Sequence, residues 1–125
     1  MNKEELKNRT KQFALRTIKL TNALPNTEIG RIIKNQLLRC STSVASNYRA
    51  VCRSRSMLDF IAKLSVVEEE ADESAFWLEI IIECGLIKKE LVEPLLKEAN
   101  EIVAIMVSSK KTSRNNKYRI ENFKS

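Results

Sequence analysis

Four arginines, Arg39, Arg49, Arg53 and Arg55, crowd one stretch of this 125-residue chain. A guanidinium fork offers two parallel N–H donors to phosphate oxygens, so such a group can hold a polyanion backbone. Ser41, Ser43, Asn47, Ser54 and Ser56 are interleaved and add neutral donors. The competing use of the arginines is salt bridging, and an acidic run follows at Glu68-Glu69-Glu70-Ala71-Asp72-Glu73. That run invites a metal reading, but bundle metal sites pair Glu with a Glu-x-x-His partner, and the chain has no His. It reads instead as a solvated or salt-bridged face, or as a surface that meets arginines of another helix or subunit. A second basic group, Lys110, Lys111, Arg114, Lys117 and Arg119, lies near the C-terminus, with Tyr118 and Phe123 available to stack on bases.

Other chemistries lack their residues. Without His there is no His-based triad and no His general acid or base. Cys40, Cys52 and Cys84 are odd in number and form no CxxC, so neither a zinc knuckle nor a redox pair is suggested. They read as free thiols in a reducing cytoplasm. Two glycines in the whole chain leave no P-loop or dinucleotide fingerprint. Ser41-Thr42-Ser43 contains no nucleophile elbow and suits close helix packing. No catalytic residue, metal or cofactor is expected, and no small-molecule substrate.

Charge is partitioned along the chain. Residues 1–63 hold 13 Lys/Arg against 4 Asp/Glu, residues 64–107 hold 3 against 11, and residues 108–125 hold 6 against 1. Such a chain can pair its own parts, pair with copies of itself, or show a basic face to a polyanion. No apolar run reaches the ~18 residues that span a bilayer. The N-terminus MNKEELKNR lacks a signal peptide's apolar stretch. A cytoplasmic protein with no membrane partner is expected.

The elements that must position these residues are helices. Few Gly and Pro, with 43% hydrophobic and only 6% aromatic residues, predict an all-α domain with an aliphatic core. A first helix runs from about Lys3 to Leu24, with an Asn2/Glu5 capping box and a stripe of Leu6, Thr10, Phe13, Thr17, Leu20 and Leu24, ended by Pro25. A second starts at Asn26 or Thr27 and runs to Asn47 or Tyr48, on Ile29, Ile32, Ile33, Leu37, Cys40 and Val44. Gly30 near its start suggests a close helix–helix approach. Residues 49–56 read as a basic connection. Ser56, with Asp59 three residues on, caps a third helix from Met57 to Cys84, closed by Gly85. Asp59 can pair with Arg55 and Lys63. The run Phe76-Trp77-Leu78-Glu79-Ile80-Ile81-Ile82 is apolar almost all round, which a lone bundle would leave partly in water. Burial against another subunit explains it better. A fourth helix begins within about a turn of Pro94, uses Leu91, Leu95, Leu96, Ala99, Ile102, Val103, Ile105 and Met106, and fades near Ser108-Ser109. The expected organisation is a bundle over 1–108 and a basic, flexible tail over 109–125.

Several separated blocks resemble one known family in order and spacing. They are Leu37 to Ala50 (LLRCSTSVASNYRA), Arg53 to Leu64 (RSRSMLDFIAKL), Val67 to Glu73 (VEEEADE) and Phe76 to Glu79 (FWLE). They are similar to the bacterial four-helix bundle family known as the intervening-sequence protein of 23S ribosomal RNA genes, over about residues 5–112. The resemblance implies an antiparallel up-down four-helix bundle that assembles as a ring-like homopentamer, with no established enzymatic activity. A ring joins two different faces of one subunit. A related branch is the accessory protein of diversity-generating retroelements, which partners a reverse transcriptase and nucleic acid. The family's recurrent positions fall here on Asn47, Arg49, Arg55, Asp59, Phe60, Lys63, Glu70 and Trp77, with Phe60 and Trp77 expected to pack.

The sequence therefore predicts a non-enzymatic homo-oligomer that binds nucleic acid, RNA first. Arg49, Arg53, Arg55 and Lys63 lead the candidate contacts, with Arg39, Lys110, Lys111 and Arg114 behind them. Phe76, Trp77, Ile80, Glu69, Glu70 and Glu73 are the candidate subunit interface. The alternative is a protein-interaction scaffold with no nucleic-acid role, for example an accessory partner of another enzyme.

Overall fold

The computed structural model describes the backbone of residues 1–124 and the side chains of residues 1–116. It contains four helices: α1 (Lys3–Thr21), α2 (Glu28–Val51), α3 (Met57–Glu83) and α4 (Lys89–Lys124). α1 and α3 each pack against both α2 and α4. The connections at 22–27, 52–56 and 84–88 are short, so successive packed helices run antiparallel. The cross-helix partners follow that register. Arg39 meets Glu73 while Ala50 and Asp59 line one cleft, and Glu68 meets Lys110 while Glu79 and Leu96 line another. The result is an up-down-up-down four-helix bundle.

Local chemistry sets the helix starts. Asn2 Oδ1 accepts from the Glu5 amide at 2.8 Å, and Asn2 Nδ2 reaches Glu5 Oε1 at 3.2 Å, which closes the expected box. Thr27 caps α2 and Ser56 caps α3, each satisfying one amide that the first turn would otherwise leave without a partner. α3 ends in a Schellman turn. Gly85 has φ +65°, its N–H donates to Ile82 O, and the Leu86 N–H donates to Ile81 O.

Several boundaries differ from the sequence reading. α1 stops at Thr21, not Leu24, because the chain tightens into i→i−3 bonds from Ala23 to Leu20 and from Leu24 to Thr21. α2 keeps its helical bonds through Val51, so Arg49 belongs to the helix and the basic connection is only 52–56. Gly30 makes its close approach to Pro25 of its own preceding loop rather than to another helix. α4 begins at Lys89, which places Pro94 past the first turn. There the Glu90 carbonyl that loses its partner belongs to an exposed residue and can bond water. α4 also continues through Lys124, across the expected break at 108. No Gly or Pro interrupts that stretch, and Lys110 and Ser113 are packed on the bundle.

The core is aliphatic, as the composition demands. Ile33, Leu37, Val44, Val51, Val67, Leu78, Ile81, Val92, Ile102 and Met106 are fully buried, and Phe13 is the aromatic among them. Two expected core residues of α2, Ile29 and Ile32, are instead 46% exposed, and Leu91 of α4 is 59% exposed. α1 lends threonines to the core. Thr10, Thr17 and Thr21 turn their hydroxyls back onto the carbonyls of Leu6, Phe13 and Ile18 at 2.9, 2.8 and 2.7 Å, so none is left unsatisfied. The seam between α1 and α4 is the slightest of the four. Arg9 fastens it, its fork held by Glu98 at 2.8 and 2.6 Å with Glu101 alongside.

Candidate nucleic-acid interface

The loop after α2 is pinned along its backbone, which leaves its arginine side chains outward. The Arg53 and Ser54 amides donate to Ala50 O and Val51 O, and Ser54 Oγ adds a bond to Val51 O at 2.6 Å. The Arg55 amide donates to Asp59 Oδ2 at 3.1 Å, and Lys63 Nζ donates to the same oxygen at 2.8 Å. Lys63 first, then the Arg55 amide, hold the Asp59 carboxyl below its ordinary pKa. Beside this loop lies a cleft of about 510 Å³ lined by Ala50, Arg53, Arg55, Asp59 and Lys63.

A neighbouring hollow shows what else reaches this end of the bundle. It is lined by Lys3, Ser54, Arg55, Ser56, Met57, Phe60 and Ser113. Antiparallel packing brings the start of α1, the end of α2, the start of α3 and the 113 region of α4 together. Lys3, the arginines at the end of α2 and in the 52–56 loop, and the residues of α4 around Ser113 therefore meet at one pole. Lys3 Nζ also lies 5.4 Å from the Phe60 ring centroid, a cation–π distance. The sequence reading passed over Lys3; an up-down topology places the start of α1 level with the loop after α2, and that was the available signal.

The predicted contact residues separate into two groups. Arg39 lies mid-bundle and is held by Glu70 at 3.3 Å and by Glu73. Lys63 is paired with Asp59. The Lys110 side chain is only 14% exposed and sits 2.6 Å from Glu68 Oε1. Lys110 Nζ also donates to Ser65 Oγ, 3.2 Å away. Arg49, Arg53, Arg55, Lys111 and Arg114 are exposed and have no ion pair among the described residues. Lys117, Tyr118, Arg119 and Phe123 lie outside the residues whose side chains are described.

The proposed interface residues lie on a second surface. Phe76 is 49% exposed and meets the half-buried Trp77 edge to face, with centroids 5.0 Å apart. Trp77 Nε1 donates to Glu73 at 3.2 Å. Glu70 and Glu73 are engaged by Arg39 of the same chain, and Glu69 is exposed. Ile32 lies two turns from Arg39, and Ile80 lies two turns from Glu73 in the opposite direction. The antiparallel register that joins Arg39 to Glu73 thus brings Ile32 level with Ile80. Ile29, Ile32, Phe76 and Ile80 then give the outer α2/α3 face an apolar patch beside an ion pair.

Comparison with known proteins places this geometry. The family model described as 23S rRNA-intervening sequence protein matches residues 2–108. The chain belongs to that family. A crystal structure at 1.70 Å of a protein of unknown function from the S23 ribosomal protein family, from Bacteroides thetaiotaomicron, is 32% identical. It aligns with a TM-score of 0.79 over 85% of this chain and 98% of that one. A search of curated proteins finds no match.

In this family member the two ends of the surface chemistry differ in sign. The larger groove, about 990 Å³, runs along the outer face of α4 and carries Glu90, Glu93 and Glu101 beside Lys97. Its balance of charge repels phosphate. The basic pole offers several exposed cations on three different elements, which is the footprint that contacts to a phosphate backbone require.

Proposed function

We propose that this bundle is a non-enzymatic, cytoplasmic protein that binds nucleic acid, RNA first, through its basic pole and assembles with copies of itself. The observation that carries the reading is the convergence of Arg49, Arg53, Arg55, Lys111 and Arg114 at one end, exposed and without ion pairs among the described residues. Like charges gathered this way repel one another, and a polyanion relieves that repulsion while releasing its own counterions. The uncombined state of Cys40, Cys52 and Cys84 supports a reducing compartment.

The self-association is supported by the exposed apolar residues of the α2/α3 face, for which a ring of five copies is the proposed arrangement. That same face favours the second reading, a scaffold whose partner is another protein. Size-exclusion chromatography with light scattering, with and without a structured RNA at low and high salt, separates the two. RNA binding predicts a particle that gains RNA at low salt and releases it at high salt. Arg53→Glu with Arg55→Glu then abolishes the shift without changing the particle's mass. A particle indifferent to RNA at low salt overturns the nucleic-acid reading. Phe76→Ser reduces the mass if the α2/α3 patch joins copies.

A further inference from the structure

We infer that Asp59 is a built-in counter-charge of the basic pole: it shapes the phosphate cleft and at the same time keeps Lys63 out of it. The inference rests on the nucleic-acid reading and names the residue that sets the strength of that site. Asp59 is the one carboxylate among the residues lining the cleft of Arg53, Arg55 and Lys63. A single oxygen, Oδ2, receives both the Arg55 amide at 3.1 Å and Lys63 Nζ at 2.8 Å. The two bonds have different requirements. The amide needs an acceptor, and a neutral amide oxygen serves. The ammonium needs a charge to stay put against the pull of solvent or of an arriving phosphate.

A phosphate entering this cleft meets Arg53 and Arg55 as exposed cations with no ion pair among the described residues, and Lys63 as one already neutralised. It also meets the Asp59 carboxylate as a like charge at short range. Asp59 is thus a positioning residue for the loop through the Arg55 amide, and an opponent of the ligand through its charge. Asn at this position separates the functions. It keeps an acceptor for the Arg55 amide, removes the repulsion and releases Lys63 to the ligand.

The test is a double-mutant cycle on the full chain, read by fluorescence anisotropy with a labelled RNA hairpin. Asp59→Asn tightens binding and adds one effective phosphate contact. Between roughly 50 and 200 mM salt its affinity then falls by a further factor of about three beyond the wild-type fall. Lys63→Gln in the wild-type background weakens binding by baring the Asp59 carboxylate but leaves the salt slope at the wild-type value, because Lys63 is already paired and makes no phosphate contact; in the Asp59→Asn background it removes the added salt dependence. Three results overturn the inference: no gain in Asp59→Asn, an added salt dependence that survives Lys63→Gln, or a salt slope made shallower by Lys63→Gln alone. The last needs only a variant that keeps the wild-type loop, so it stands even if Asp59→Asn fails to fold. Arg53→Glu with Arg55→Glu separates the two failures. If it binds RNA like wild type, the nucleic-acid reading falls and this inference with it. If it loses RNA while Asp59→Asn gains nothing, only this inference falls.

Discussion

Gly30→Ala tests the local physics most sharply. Gly30 is helical, so its backbone does not need glycine. Its space does. A Cβ there overlaps the Pro25 carbonyl oxygen and comes within 3.1 Å of Pro25 C and of Thr27 Oγ1. The obstacle is backbone, and it cannot rotate away. The chain must move the 22–27 turn or break the Thr27 cap, which bonds the Gly30 amide at 3.2 Å. Overpacking costs ~1–3 kcal/mol and a lost Thr cap about 1 kcal/mol, against a helix-propensity gain of about 1 kcal/mol for Ala over Gly. The expected net loss is about 2 kcal/mol. For a domain of this size that lowers the melting temperature by roughly 8 °C. Gly85→Ala is the matched control. Nothing lies within 4 Å of its Cβ, but its φ is +65°, so it loses only the left-handed penalty of about 1 kcal/mol. Thermal denaturation followed by circular dichroism ranks the pair. A Gly30→Ala protein as stable as wild type, or more stable than Gly85→Ala, refutes the steric account.

Acid unfolding offers a second check. Glu73 is held below its ordinary pKa first by Arg39, against the opposing effect of burial, and also by Trp77. Asp59 is held down first by Lys63. A carboxylate lowered on folding contributes stability that is complete above the ordinary range of ~4 to 4.5 and is lost as pH falls through the lower folded value. Trp77 is the single Trp, so its fluorescence reports the Glu73 contact directly; melting temperatures that fall as steeply below pH 4 in Glu73→Gln as in wild type would remove Glu73 from the cause. Thiol labelling is a third. Cys84 is exposed, Cys52 half-buried and Cys40 fully buried, with burial raising the Cys40 pKa despite the Ser74 hydroxyl 3.2 Å away. A thiol reagent at neutral pH should modify Cys84 first and Cys40 only on unfolding; rapid native-state labelling of Cys40 contradicts the packing of α2 on α3.

Much of the bundle was legible because its signals are local. Asn2, Ser56 and Gly85 act on amides and carbonyls within a few residues of themselves, so pattern alone located them. The misses were tertiary. Ile29 and Ile32 share the helical spacing of Ile33 and Leu37, yet the stripe is wider than the face α2 buries, and periodicity cannot say which flank meets a neighbour. Residues 109–113 read as tail because their side chains are polar. Lys110 nonetheless anchors them on Glu68, a contact between positions that only antiparallel packing brings together.

The candidate site divides along the same line. Residue type and spacing were enough to single out arginines as candidate phosphate contacts and to exclude His-based and P-loop chemistry, because those chemistries depend on which side chains exist. The allocation of each cation was decided in three dimensions. Arg39, Lys63 and Lys110 carry the same kind of charge as Arg53 and Arg55, but the fold sets a carboxylate within reach of each of the first three and leaves the other two side chains in solvent. Charge is a property of the residue; whether it is already spent depends on what packs beside it.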